Sequence, residues 1–493
     1  MGKSYVAIDL GASSGRVITG RLDDGRLITT EVNRFDNTPY YCDDDGRRTL
    51  CWPVASLLDG IGAGLQEAVD TGDVVSVGVD TWGADYALLD RRGSLVRDSV
   101  HYRDDRTTGK PRQFFDAMSP TEHYELTGTQ VQPFNTVFQL LAEPQLCHAN
   151  RLLMMPDLLA YWLTGESVTD MTIASTTGLL DIASHEWSAR VLGVAQQLTG
   201  QNISRLLAPL VEPGTTVGEC NNAKWPAVKV VAVGSHDTAS AVAAVPMDNP
   251  DHTIYISCGT WSLVGTELSD PVLTEASRRA NMTNELGVFG TVRYLKNVAG
   301  LWLLSESMRT WAAQGRCHDL HGLIDAAANA PACRTVINVD EDAFVAPSDM
   351  PSRIADAARA TGQPVPDDEV MVTRCILDSL ALAYRRTLRT IADLTGRDIS
   401  IVHVVGGGSR NPLLCQLTAD ATGLPVVAGP AECTAMGNLL LQACANGATD
   451  RSLPGIRRVV SNSVELTRWM PTGDSKIWDQ AEDRLRGILA ATK

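Results

Sequence analysis

Two segments of this chain, about 250 residues apart, share one build: YVAIDLGASSGRVITG near the N-terminus and TIYISCGTWSLVG further on. Each runs apolar, breaks at glycine, serine and threonine, and resumes with β-favouring residues. The pattern predicts strand, tight turn, strand. Glycines in such a turn let backbone N–H groups and hydroxyls come close to an anion, so each hairpin looks like half of a phosphate grip. A hairpin used twice predicts two related domains acting on one polyphosphate. Asp9 sharpens the first hairpin, because a carboxylate at the end of an apolar strand is costly to bury unless it meets a cation or a hydrogen-bond donor. A Mg²⁺ carried by ATP is the natural partner.

A chain of 493 residues is too long for one ordinary core and suggests two or three domains. A hydrophobic content of 44% with 20% charged residues belongs to a folded soluble protein, and the net charge of −16 argues against nucleic-acid or anionic-membrane binding. The 11 cysteines are scattered, with no C-x-x-C pair, and read as buried or free thiols of a reducing compartment rather than as a disulfide frame or zinc site. Strand signals begin almost at Met1 and no apolar run reaches the roughly 18 residues of a membrane span, so the expectation is a cytoplasmic protein.

Helical and strand patterns alternate throughout, which predicts α/β architecture. Val54, Leu57, Leu58, Ile61 and Leu65 share a helical face, VVSVGVD is a buried strand ending at Asp80, and YALLDRRGSLV reads as a hairpin about Arg-Arg-Gly. PDLLAYWLTG is a short helix with proline at its start and glycine after its end. VKVVAVGSHDTASAVAAVP is the clearest strand-turn-helix unit, extended over Val228 to Val233 and helical to Pro246. The polar MDNPDHT that follows divides the chain into 1–247 and 248–493, one hairpin opening each half. In the second half Val370 to Leu394 is a helix stopping at Gly396, and ISIVHVV runs as a buried strand into Gly406, Gly407 and Gly408.

Asp237 is the best catalytic candidate. With Ser235 as helix cap, Asp237 falls in the first turn, where the helix dipole favours the ionised carboxylate. Such a group can accept the proton of a substrate hydroxyl as its oxygen attacks a γ-phosphate, although acids are also simply common in first turns. Three glycines at the carboxyl end of a strand permit a flat nucleoside to lie on bare backbone, where a tight connection would need only one. Arg16 can pair with a terminal phosphate through its planar fork, an exposed strand arginine being the ordinary alternative. DTWGAD and HYRDDRT cluster polar and aromatic groups as a sugar pocket needs, or as structural loops do, with Trp82 as core or pocket wall.

In order, DLGASSGR, DTWGADYALLD, YRDDRT, MPDLLAYWLTG, GSHDTASAV, GTWSLVG, LKNVAGLWLL and HVVGGGSRNPLLCQLTADATG resemble the FGGY carbohydrate kinases over nearly the whole chain. The likeness is greatest to the branch that phosphorylates L-rhamnulose at its 1-hydroxyl with MgATP. L-fuculose, D-xylulose or another ketose or polyol is the alternative within the family, and a non-catalytic actin-like ATP-binding module the alternative outside it. The resemblance implies an actin-like, ribonuclease H-like fold: two domains of related topology with an interdomain cleft, the first binding sugar and phosphate and the second nucleotide. It implies that Ala12, Ser13, Ser14, Gly15, Arg16, Thr260 and Gly407 meet ATP. Gly83, His236, Asp237, Thr238 and Asn297 would line the sugar, Asp237 as proton acceptor, and Asp9 would hold Mg²⁺ through water. Two departures stand out: Ser305 replaces a glutamine expected at a nucleotide-contact position, and GPAECTAMGN replaces GPVEATALGN while keeping its small and turn residues. The expected partners are thus a small sugar and MgATP, with no nucleic acid or membrane, in a monomer or small homo-oligomer.

Overall fold

The computed structural model of the chain describes residues 3–44, 46–221, 225, 227–473 and 475–491. They fall into two compact units. The first comprises Met1–Asp248, Glu267–Tyr294 and Cys433–Val464, and the second Asn249–Thr266, Leu295–Glu432 and Glu465–Lys493. Two later segments of the chain therefore rejoin the first unit.

The first unit is built on a sheet centred on strand β1 (Lys3–Leu10), which pairs antiparallel with β2 (Ser14–Asp23). Strand β3 (Arg26–Asp36) continues the meander beyond β2. On its other side β1 pairs parallel with Asp73–Thr81, followed by Lys229–Val231 and then Thr216–Glu219. Six consecutive residues of β1, Tyr5 to Leu10, are buried, as a central strand covered on both faces requires. Helix Val54–Thr71 lays Val54, Leu57, Ile61 and Leu65 into the core, with Leu58 half-buried at the margin.

The second unit repeats the plan. Thr253–Cys258 pairs antiparallel with Trp261–Leu268 and parallel with Ile401–Val405, the arrangement β1 makes with its two neighbours. Val426–Ala428 extends the parallel run and Thr467–Trp469 closes it antiparallel. Its main support is helix Glu369–Thr395. Asp368 caps the N-terminus by accepting from the Met371 amide at 2.7 Å, and Gly396, at φ 69°, stops the other end.

Several local expectations are corrected. The extended run at 228–233 is a strand only over Lys229–Val231, and the helix after it spans Asp237–Ala243, short of Pro246. Tyr86–Leu89 does turn back, with Leu89 bridging Leu95, but its ladder partner is Arg151–Met154. Cys42 and Cys51, on the hairpin formed by Tyr40–Asp44 and Arg47–Cys51, are joined as a disulfide, against the reading of all cysteines as thiols. The other nine are free, seven of them buried. Among the described residues no helix is long and apolar enough to cross a membrane.

Candidate active site

The first hairpin turn is locked by its own backbone. The Gly11 amide donates to the Ser14 carbonyl at 3.0 Å, and Asn37 reaches back to the Gly11 carbonyl at 2.8 Å. Ser13 is exposed there, with Ala12 and Ser14 half-buried. Gly15 has a packing reason of its own: a Cβ would lie 2.3 Å from the Phe35 ring. Arg16 stands opposite Asp9 in the ladder and the two form an ion pair, so the partner that buried Asp9 requires is met within the hairpin.

On the other side of β1, Asp80 pairs in register with Asp9. It is fully buried; its Oδ2 accepts from Asn438 at 2.6 Å and its Oδ1 has no hydrogen-bond partner among the described residues. Burial, then the charge of Asp9, push the Asp80 carboxyl well above the ordinary range. No three His, Cys, Asp or Glu side chains converge as a metal cage among the described residues. Mg²⁺ commonly takes one or two carboxylates and completes its shell with water and phosphate, and the carboxylate oxygens at the end of β1 fit that use.

The segment Ser235–Thr238 lies at the carboxyl end of the adjacent strand. The Thr81 amide donates to the Ser235 carbonyl at 2.9 Å, and His236 bridges Thr81 in parallel register. Ser235 does not cap the helix. Its hydroxyl donates to buried Asp170 at 2.8 Å, and the cap position is His236, which makes no side-chain cap bond. Asp237 is in the first turn as expected, its side chain 32% exposed. Burial raises its carboxyl above the usual value, opposed by His236, by the Thr238 donors and by Arg293, so desolvation rather than the helix end dominates. Its Oδ1 accepts from the Thr238 amide at 2.6 Å and the Thr238 hydroxyl at 3.1 Å, with His236 Nε2 at 3.5 Å. These contacts all fall on Oδ1, which leaves Oδ2 to receive a proton.

Gly83 sits half-buried in a loop held rigidly from behind. Ala84 adopts φ 69°; its amide donates to Thr176 at 3.1 Å and its carbonyl accepts from Thr136 at 2.7 Å. Asp85 accepts from Trp52 Nε1 at 2.7 Å, Trp82 Nε1 at 3.0 Å, the Tyr102 amide at 3.1 Å and Gln139 at 2.9 Å. The Trp52 ring lies 4.0 Å from both Trp82 and His101, forming an aromatic wall behind the loop. Trp82 is buried in this aromatic stack, as a core residue is. Asp80 and Asp85 are the acidic ends of the DTWGAD run, whereas no motif in the sequence marks Asp170 or Arg293.

In the second unit the turn of the second hairpin is tied to a helix. The Leu301 amide donates to the Gly259 carbonyl at 2.9 Å and the Trp302 amide to the Thr260 carbonyl at 3.2 Å, which sets Thr260 beside the first turn of helix Trp302–Ala313, where Ser305 is exposed. The Ser262 hydroxyl is turned inward to Tyr384, 2.7 Å away, so it does not serve the turn. Asn297 is half-buried in strand Val292–Ala299. The glycine triplet divides by task. Gly406 has φ 78°, a Cβ on Gly408 would lie 2.2 Å from Cys258 Sγ, and Gly407 is exposed with nothing near its missing Cβ. Gly406 is thus explained by its backbone conformation and Gly408 by packing, and Gly407 leaves bare backbone open.

This pair of hairpin-led sheets, each with a parallel third strand, matches known families at both halves. Residues 4–244 match the FGGY family of carbohydrate kinases, N-terminal domain, and residues 254–446 its C-terminal domain. The chain belongs to the FGGY family of carbohydrate kinases. Over 98% of its length, and 98% of the relative's, it is 42% identical to a rhamnulokinase of Bacteroides thetaiotaomicron. It is 41% identical to a rhamnulokinase of Klebsiella pneumoniae over 96% of this chain and 95% of that one. Among solved structures, the gluconate kinase of Lactobacillus acidophilus shares the fold with a TM-score of 0.76 at 14% identity, covering 99% of this chain and 97% of that one. The glycerol kinase of Plasmodium falciparum with ADP gives 0.75 at 15% identity, covering 100% and 99%. The protein is therefore a carbohydrate kinase of two-domain, actin-like α/β fold.

Proposed function

We propose that the chain transfers the γ-phosphoryl group of ATP to the 1-hydroxyl of L-rhamnulose. The observation that carries this reading is the identity of 42% with a rhamnulokinase, sustained over 98% of both chains. Asp237 is the proposed proton acceptor: its Oδ1 is held by Thr238 and approached by His236, and Oδ2 stays open to the sugar hydroxyl. Gly83, His236, Thr238 and Asn297 are the proposed sugar contacts. Ala12, Ser13, Ser14, Gly15 and Arg16 in the first half, 1–247, and Thr260, Ser305 and Gly407 in the second, 248–493, are the proposed ATP contacts.

In the proposed reaction the sugar oxygen forms its bond to γ-phosphorus as the bond to the β-γ bridging oxygen breaks, ADP leaves, and the hydroxyl proton passes to Asp237. Asp9 would hold Mg²⁺, which when bound would supply positive charge to the phosphate oxygens. The residues of this chain supply position and a proton acceptor, the latter accounting for roughly 10²- to 10⁴-fold of the rate. The test is ADP release from MgATP across L-rhamnulose, L-fuculose, D-xylulose, D-ribulose and glycerol. A strong preference for L-rhamnulose is expected. Preference for another sugar would keep the chemistry and overturn the substrate, and absence of sugar-dependent ADP release would overturn both.

A further inference from the structure

The segment Glu267–Tyr294, which rejoins the first unit, brings two buried charges to the ring of His236. Arg293 is fully buried, Glu285 is 4% exposed, and the two lie 3.1 Å apart as a neutralising pair. Arg293 Nε donates to the Leu286 carbonyl at 3.1 Å, which fixes the plane of its guanidinium. Its Nη2 then stands 3.2 Å from His236 Nδ1. Glu285 Oε2 lies 3.1 Å from the same nitrogen, but it has no partner of hydrogen-bond geometry, whereas the Arg293 contact has that geometry.

A guanidinium keeps its hydrogens under all ordinary conditions, so a ring nitrogen that receives one must present a lone pair. Nδ1 is therefore the acceptor and the ring hydrogen sits on Nε2. That nitrogen faces Asp237 Oδ1 at 3.5 Å. We propose that Arg293, with Glu285 as its counter-charge, is a positioning residue for phosphoryl transfer: it holds His236 in the Nε2–H tautomer, so that the ring turns its N–H towards Asp237 Oδ1, which Thr238 holds by hydrogen bonds, and Oδ2 takes the substrate proton. The inference rests on the reading of Asp237 as the proton acceptor.

The surroundings explain why such a device is needed. Asp237 is opposed by Asp80 at the end of Asp73–Thr81, behind which stand Asp9 of β1 and Arg16 of β2, while Asp170 holds the neighbouring Ser235. Burial favours a protonated Asp237, which could not act as a base. His236 and Arg293 favour the ionised form. Burial works against an ionised Glu285 as well, but the Arg293 charge holds its carboxyl below the ordinary range.

The experiment compares wild type with Arg293→Met, Arg293→Lys and Glu285→Gln, following turnover of L-rhamnulose with MgATP from about pH 5.5 to about pH 9. In Arg293→Met the acidic limb of kcat/KM for the sugar should move up by about one pH unit, so that turnover falls about tenfold near pH 6 and recovers in alkali, with KM for MgATP unchanged. Arg293→Lys should restore most of the wild-type profile. Glu285→Gln removes the counter-charge and should move the limb the other way. A uniform loss at every pH in Arg293→Met, or shifts of the same sign in Arg293→Met and Glu285→Gln, would overturn the proposal. Nitrogen-15 spectra of histidine-labelled wild type, with the His236 signals assigned by their disappearance in His236→Gln, decide the tautomer without any turnover. The Nε2–H form is expected; the Nδ1–H form or an imidazolium at neutral pH would overturn the inference even if every variant folded poorly. Wild type inactive on every sugar would defeat the kinase substrate reading, and the tautomer measurement would still stand by itself.

Discussion

At Asp85 one buried carboxylate gathers two indole N–H groups, a backbone amide and a glutamine amide, fixing the aromatic wall behind Gly83. Burial outweighs these donors and raises its carboxyl to about 6 from the ordinary 3.8. The folded state therefore binds the proton more tightly than the unfolded chain, and the associated stability is present below the ordinary carboxylate range and lost as pH rises through about 6. Asp85→Asn should remove this dependence. The difference in unfolding free energy between wild type and variant should change, to wild type's disadvantage, by on the order of 3 kcal/mol between about pH 4 and about pH 7, measured by urea titration. At Asp237 the expectation concerns rate instead: Asp237→Asn should fold with an unchanged melting temperature and lose roughly 10²- to 10⁴-fold in kcat, and near-normal turnover would remove it as the base. Single residues were unevenly legible. Asp9 is legible because an acid at the end of an apolar strand breaks the local pattern, and Asp237 because an acid follows a strand and turn into a helix's first turn, where the helix dipole favours a carboxylate. Arg293 and Glu285 are not, because nothing in VFGTVRY or MTNEL distinguishes a surface charge from a buried one.

Elements are held in place by close approach as much as by pattern. Helix Cys433–Ala445 packs on helix Asp237–Ala243 with Gly437 at the crossing, where a Cβ would lie 1.8 Å from the Ser240 carbonyl oxygen. Gly437→Ala should thus displace the helix that carries Asp237, costing about 1–3 kcal/mol or more and lowering both melting temperature and sugar-dependent ADP release. An unchanged melting temperature would refute the close approach. The long helix Glu369–Thr395 offers a contrast, because its Asp368 cap belongs to the second unit's scaffold: Asp368→Ala should cost about 1 kcal/mol in thermal unfolding and leave kcat unchanged. That helix was readable from end to end, since its apolar period, acid cap and terminal glycine all agree. The valine-rich run Val228 to Val233 predicts a longer strand before Asp237 than forms, because only Lys229–Val231 finds ladder partners. The position of Ser235 predicts a cap, but the buried Asp170 carboxyl takes its hydroxyl at 2.8 Å instead.

For the molecule as a whole, the return of Cys433–Val464 to the first unit has energetic weight. Gln442 donates to the Val6 carbonyl at 2.8 Å and accepts from Ser76 at 2.8 Å, Asn438 donates to Asp80 at 2.6 Å, and Arg457 pairs with Glu267 at 2.8 Å. A fragment ending at residue 248 would leave the Asp80 carboxylate and the Ser76 hydroxyl buried without these partners, or exposed together with the apolar face that the returning helix covers. It should show no cooperative heat-absorption peak in calorimetry, whereas the full chain should; a sharp transition in the fragment would show the returning segments to be dispensable.

The sequence by itself determined the alternation of strand and helix, the paired hairpins that open each half, and the acid in the first turn of Asp237–Ala243. These depend on period, turn chemistry and caps, all of which act over a few residues. The tertiary structure alone decided which charges meet. Asp9 finds Arg16 through strand register, His236 finds Arg293 and Glu285 through a segment that rejoins the first unit, and Gly15, Gly408 and Gly437 are glycine because distant side chains or backbone occupy the space of a Cβ. Local pattern cannot carry such information, because burial and electrostatic pairing are set by which residues the fold places within a few ångströms, whatever their separation along the chain.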